Sequence, residues 1–351
     1  MAVNCFNEFV LSSPQRVAMP IAVYPGLALT KARVCDVVTN PRAQVEAQIA
    51  LHERYQTPFV LSAMDLSAEA EAFGCTLHLA ENEVPSVTGR LVTNLEQAQR
   101  LTIPKPGDQR TAVHLEAVRR LSRLPTQPLV LASCIGPFSL AARLVGVAEA
   151  LEMTATERSL LYVLLEKCTA FLADYINAFR MAGADGIIMA EPAAGLLSPR
   201  GLAVFSSAYV KLLAASEADG PFTFLLHNCA AKLLHLPAVL ESGVKSFHFG
   251  APMDLVAALE KVPADVVLCG NLDPAAVFCQ SSPNEVAART AELLAVTAGH
   301  RNHVLSSGCD VPPNAPLANL DAFYAAAHHP WREHSFDQQD KHKYARPQTS
   351  L

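Results

Sequence analysis

Short, almost wholly apolar runs alternate with amphipathic stretches along nearly all of this chain. The runs fall at 17–24, 58–63, 128–133, 186–190, 222–226, 244–249, 266–269 and 304–306. Each is rich in β-branched and aliphatic residues and lacks the polar alternation of a half-exposed strand, so each predicts a strand covered on both faces. A polar or Gly/Pro-marked turn follows each run, and helical periodicity follows most of the turns. The clearest helix is expected over 154–181, where Leu160, Leu164, Cys168, Phe171, Tyr175 and Phe179 recur at spacings of three and four behind a Thr154/Glu157 capping box. A second is expected over 41–55, with Pro41 suited to its first turn, and a third over 317–327.

Eight covered strands, most leading into helices, predict an α/β fold, a (β/α)8 TIM barrel. A doubly wound open sheet is the rival that periodicity alone does not exclude. The segment 75–123 departs from the repeat. It holds a further strand pair (75–79 and 84–88) and two helices, and reads as an insertion between barrel strands two and three. The expected organisation is one catalytic barrel over 1–330 and a polar tail over 331–351, with Trp331 at its start.

At 351 residues, 51% hydrophobic and 17% charged, the chain can bury a large core. Its formal charge of −6 argues against nucleic acid or an anionic membrane as the main partner. Nine cysteines, an odd number with no C-x-x-C pair, suit a reducing cytoplasm, and no secretory or membrane-spanning segment is legible.

The strand ends carry the candidate chemistry. Asp65 follows the second strand, Gly136-Pro137-Phe138-Ser139 the third and Glu191-Pro192 the fourth. His227 and Cys229 end the fifth, His248 lies in the sixth, Gly270-Asn271-Leu272-Asp273-Pro274 follows the seventh, and Cys309-Asp310 the eighth. In a barrel all of these fall at the C-terminal rim, where such folds place their active sites. His227, Cys229 and Cys309 offer an imidazole and two thiolates, a set that suits Zn2+ and leaves a fourth position open, as catalytic zinc requires. The 80 positions between the two cysteines are too many for a zinc finger but natural for a site assembled across a barrel mouth, provided both loops lean inward.

The other cysteines read as small core hydrophobes. Asp65 is either a cap for a helix beginning near Ser67 or a catalytic pocket carboxylate. Glu191 is either a displaceable fourth zinc ligand or a solvated loop carboxylate. Asn271 and Asp273 are turn formers or cofactor-binding residues. His248 reads as a hydrogen-bonded core histidine, while His235, His300, His303, His328 and His329 read as surface or helix-end residues.

Four landmarks in this order resemble the uroporphyrinogen decarboxylase superfamily over nearly the whole chain. They are Asp65 after an apolar strand, Gly136-Pro137-Phe138-Ser139-Leu140-Ala141, Gly270-Asn271-Leu272-Asp273-Pro274, and Gly308-Cys309-Asp310 leading to Pro316-Leu317-Ala318-Asn319-Leu320. The resemblance implies a (β/α)8 barrel. Decarboxylases of that superfamily carry an arginine motif near the N-terminus, absent from 17–26 here, and a histidine where this chain has Cys309. His-x-Cys with a distant Cys is instead similar to its cobamide-dependent methyltransferase branch. That likeness implies zinc on His227, Cys229 and Cys309, a methylcobamide (corrinoid) cosubstrate on a small separate corrinoid protein, and a small thiol as methyl acceptor. The chain itself lacks the Asp-x-His-x-x-Gly corrinoid motif. The alternatives are a demethylase passing methyl from a small donor to cobalt, a metal-free decarboxylase, and a non-catalytic barrel with structural zinc.

Overall fold

The computed structural model describes residues 6–215 and 221–328, so the expected tail over 331–351 lies outside the described residues. Among the described residues nine strands occur: β1 (Phe59–Leu61), β2 (Thr76–His78), β3 (Ser86–Thr88), β4 (Leu129–Ile135), β5 (Gly186–Ala190), β6 (Thr223–Asn228), β7 (Ser246–Phe249), β8 (Val267–Leu272) and β9 (His303–Ser307). Seven form one parallel sheet in the order β1-β4-β5-β6-β7-β8-β9. Helices separate successive strands, as parallel pairing requires.

The first expected strand is reduced to a parallel bridge between Ala18 and Leu305 of β9. Pro20 has no N–H to give a ladder. Ile21 then donates its N–H to the Ser307 hydroxyl at 3.0 Å in place of a backbone carbonyl. The curled sheet is therefore a TIM-barrel-like fold whose eighth position is filled by an irregular segment.

Side-chain alternation divides each central strand between two cores. Ile187, Met189, Phe224 and Leu226 face the helices. Ile188, Ala190, Leu225, Val267, Cys269 and Val304 face inward with Phe59, Leu61 and Leu131. The helix Phe6–Ser12 covers one end of this inner core, with the rings of Phe6 and Phe9 against Phe59.

The helices Pro41–Tyr55 and Leu317–Ala327 occupy the expected positions. The long helix begins later than expected, at Arg158. Thr154 turns its hydroxyl back to the Leu151 carbonyl at 2.7 Å rather than capping forward. Between β1 and β4 lies the insertion, comprising the antiparallel pair β2–β3 and the helices Leu95–Arg100 and Thr111–Leu121. Among the described residues no helix is long and apolar enough to cross a membrane.

Candidate metal centre

His227 is an inward-facing residue of β6, and the pleat places Cys229, two residues on, toward the same side. Cys309 follows β9, with β7 and β8 lying between. Two glycines let the strand ends converge. A Cβ on Gly250 would stand 2.1 Å from the Cys229 carbonyl oxygen, and one on Gly308 would stand 2.9 Å from the Ala251 nitrogen and 3.2 Å from the Gly250 Cα. The chain after β7 thus packs backbone to backbone between the two cysteine-bearing loops.

The donor atoms of His227, Cys229 and Cys309 consequently lie within 4.8 Å of one another, and Cys309 Sγ is 3.5 Å from His227 Nε2. Ligands of a tetrahedral zinc with bonds of about 2.0–2.3 Å stand roughly 3.5 Å apart, so the residues present fit the ion. His227 is buried and both cysteines are partly exposed, so the cluster is anchored on the core side and open toward solvent. The two sulfurs are hydrogen-bonded to each other. A hydrogen bond from Cys309, with support from His227, holds Cys229 well below the ordinary thiol range, and the neighbouring Cys229 holds Cys309 well above it. Such a pair is half prepared for a cation, which must displace the remaining proton.

The other candidate residues are engaged elsewhere. The Asp65 side chain has no solvent exposure. Its Oδ1 accepts from the Ser67 N–H at 3.0 Å and hydroxyl at 2.6 Å, and its Oδ2 from Arg110. Arg110 also donates to Ser67 Oγ at 2.8 Å and Glu71 at 2.6 Å. No local pattern announces this arginine, because it arrives from the insertion 45 residues away.

Glu191 is neither a solvated loop carboxylate nor a member of the thiol cluster. It is buried and accepts from the N–H groups of Phe138 (3.0 Å) and Ser139 (2.8 Å) and the hydroxyls of Ser139 (2.6 Å) and Ser206 (3.1 Å). It closes the N-terminus of the helix Pro137–Val145, where free N–H groups favour an anion. Burial nevertheless raises its pKa.

Asn271 donates to the carbonyls of Gly250 (3.0 Å) and Met253 (2.8 Å), which fastens the turn that abuts Cys229. Asp273 accepts from the N–H groups of Ala275 (2.9 Å) and Ala276 (2.8 Å), as a turn former does. His235 and His303 are buried rather than superficial. His303 starts β9 with Nε2 2.9 Å from the Gly270 carbonyl, and His235 Nε2 is 3.1 Å from that of Leu197. In neither case does a local apolar pattern reveal the tertiary acceptor.

The family model described as uroporphyrinogen decarboxylase (URO-D) matches residues 16–330. Among curated proteins, the chain is 29% identical over 279 residues to the "Methylcobamide:CoM methyltransferase MtbA" of Methanosarcina acetivorans, covering 78% of this chain and 79% of that protein. It is 26% identical over 318 residues to the uroporphyrinogen decarboxylase of Ectopseudomonas mendocina, covering 87% and 88%. Among solved structures, a methyltransferase from Methanosarcina mazei superposes with a TM-score of 0.81 at 24% identity, covering 91% of this chain and 96% of that one, so the two share a fold. With nearly its whole length matched, the chain belongs to the uroporphyrinogen decarboxylase family.

Proposed function

We propose that this protein is a zinc-dependent methyltransferase that moves a methyl group between a methylated corrinoid, carried by a separate small protein, and a small thiol. The observation that carries this proposal is the convergence of His227, Cys229 and Cys309 at the open end of the barrel. The likeness to a methylcobamide:CoM methyltransferase supports the corrinoid as methyl carrier. Zinc, when bound, would hold the thiol as its thiolate at neutral pH and so supply the nucleophile that takes the methyl group.

The chain's own residues do the rest. His227 fixes the ligand set to the inner core, while Cys229 and Cys309 face the side from which both substrates would arrive. The apolar residues beneath exclude water from the inner face of the cluster. Asp65, Glu191, Asn271 and Asp273 build the rim rather than exchange protons, since their polar groups are taken up by the contacts described above. A methyl transfer between a corrinoid and a thiolate needs no protein proton donor. Eight free cysteines among the described residues suit a reducing compartment such as the cytoplasm.

The test is metal content by elemental analysis of the wild type and of Cys229→Ser and Cys309→Ser, followed by a methylcobalamin demethylation assay with small thiols. About one zinc per wild-type chain, lost in both variants while circular dichroism is unchanged, together with thiol-dependent demethylation, is the expected result. A wild type that stays metal-free after zinc is added overturns the proposal.

A further inference from the structure

A chain of three hydrogen bonds runs from the candidate metal ligand His227 to the irregular segment in the eighth barrel position. The Nδ1 atoms of His227 and His248 are 2.8 Å apart, their rings edge to face. His248 Nε2 lies 2.9 Å from the Ser306 hydroxyl, which donates to the Met19 carbonyl at 2.6 Å. His227, His248 and Ser306 are all fully or almost fully buried.

The direction of every bond follows from the last one. A carbonyl oxygen only accepts, so the single hydroxyl proton of Ser306 points at Met19. The Ser306 oxygen must then accept from His248, which places the proton of His248 on Nε2. A wholly buried imidazole with no anionic partner stays neutral, so His248 Nδ1 carries a lone pair. His227 must then donate from Nδ1. In the neutral ring its Nε2, the atom facing Cys309, is then left as a bare lone pair.

We infer that His248 and Ser306 are positioning residues that lock His227 in the tautomer whose Nε2 is free to bind a metal, using the Met19 carbonyl as the fixed end of the chain. The inference rests on the zinc proposal above for its purpose, but the tautomer belongs to the metal-free protein. Without the chain, His227 would divide itself between two tautomers, one of which points an N–H at the cysteines and blocks the site. A ligand's outer hydrogen bond commonly contributes about 10- to 100-fold in metal affinity.

The experiment begins with long-range proton–nitrogen NMR on metal-free wild-type protein labelled with 15N-histidine. The expected spectrum has His227 protonated at Nδ1 and His248 at Nε2; a His227 Nε2–H overturns the inference. Zinc affinity is then measured against a chromophoric chelator for the wild type, His248→Phe, His248→Gln and Ser306→Ala. Phenylalanine keeps the ring volume but offers neither donor nor acceptor, and should weaken zinc binding by about 10- to 100-fold. Glutamine has both groups in its amide and should retain more affinity than phenylalanine. Ser306→Ala should weaken binding and return His227 to mixed tautomers, and provides the test if His248→Phe does not fold. Wild-type affinity in both His248→Phe and Ser306→Ala overturns the inference. A wild type that takes up no zinc sinks the functional proposal, whereas the tautomer is decided by the metal-free spectrum.

Discussion

Arg110, at the start of an insertion helix, closes on Asp65 in the loop after β1, and the two side chains are 8% and 0% exposed. The pair fastens the insertion to the barrel rim. Removing one partner leaves a buried charge unmatched, which costs about 3–5 kcal/mol. Arg110→Met should therefore lower stability by an amount in that range, read from urea unfolding. Asp65→Asn combined with Arg110→Met should lose less than the sum of the single losses. Strict additivity across that cycle would show that the pair carries no coupling.

The glycines at 250 and 308 decide whether the cysteines meet. Gly250→Ala places a methyl group 2.1 Å from a backbone oxygen that cannot swing aside, so the Cys229 loop must move. Zinc uptake should fall sharply while the circular dichroism spectrum keeps its shape. Gly299→Ala, with nothing within 4 Å of the added carbon, is the control and should bind zinc as the wild type does. Full zinc uptake by Gly250→Ala would disprove the role given to close backbone approach.

Zinc that binds only the folded protein must stabilise it. At a free concentration about 100 times Kd the gain is about 2.7 kcal/mol. Thermal unfolding with and without zinc should show a raised Tm in the wild type and no change in Cys309→Ser. An equal rise in both proteins would place the zinc somewhere other than at His227, Cys229 and Cys309.

Burial lifts the Glu69 carboxyl to about 8; its Oε1 accepts from the Ile135 N–H at 3.0 Å, and its Oε2 has no hydrogen-bond partner among the described residues. An unfolded glutamate titrates near ~4.3. Between those values the folded state holds a proton that the unfolded state has lost. The contribution of Glu69 to stability is therefore complete below about pH 4.3 and declines until the folded group ionises near pH 8. Glu69→Gln imitates the protonated form and cannot titrate. Wild-type stability relative to this variant should fall from pH 5 to pH 8, with a slope of at most about 1.4 kcal/mol per pH unit. A constant difference in urea midpoints across that range would show that Glu69 ionises normally.

Much of this protein can be read in one dimension. Continuous apolar runs mark β4 to β9 because a covered parallel strand has no solvent face to pattern. His227 and Cys229 are visibly a pair because two residues is the repeat of the pleat. Other features depend on groups that no local pattern brings together. Pro20 removes a ladder N–H, yet only the position of Ser307 shows how that loss is repaired. Asp65 and Glu191 look like reactive carboxylates until Arg110 and the helix beginning at Pro137 are found beside them. His248 looks like a core histidine until its register partner proves to be His227. The sequence by itself determined seven of the eight barrel strands, the rim and the three donor types. Only the tertiary structure decided that the donors converge and which carboxylates are already matched, because hydrogen bonds and ion pairs are fixed by distance in space, and spacing along the chain constrains that distance only within one strand or helix.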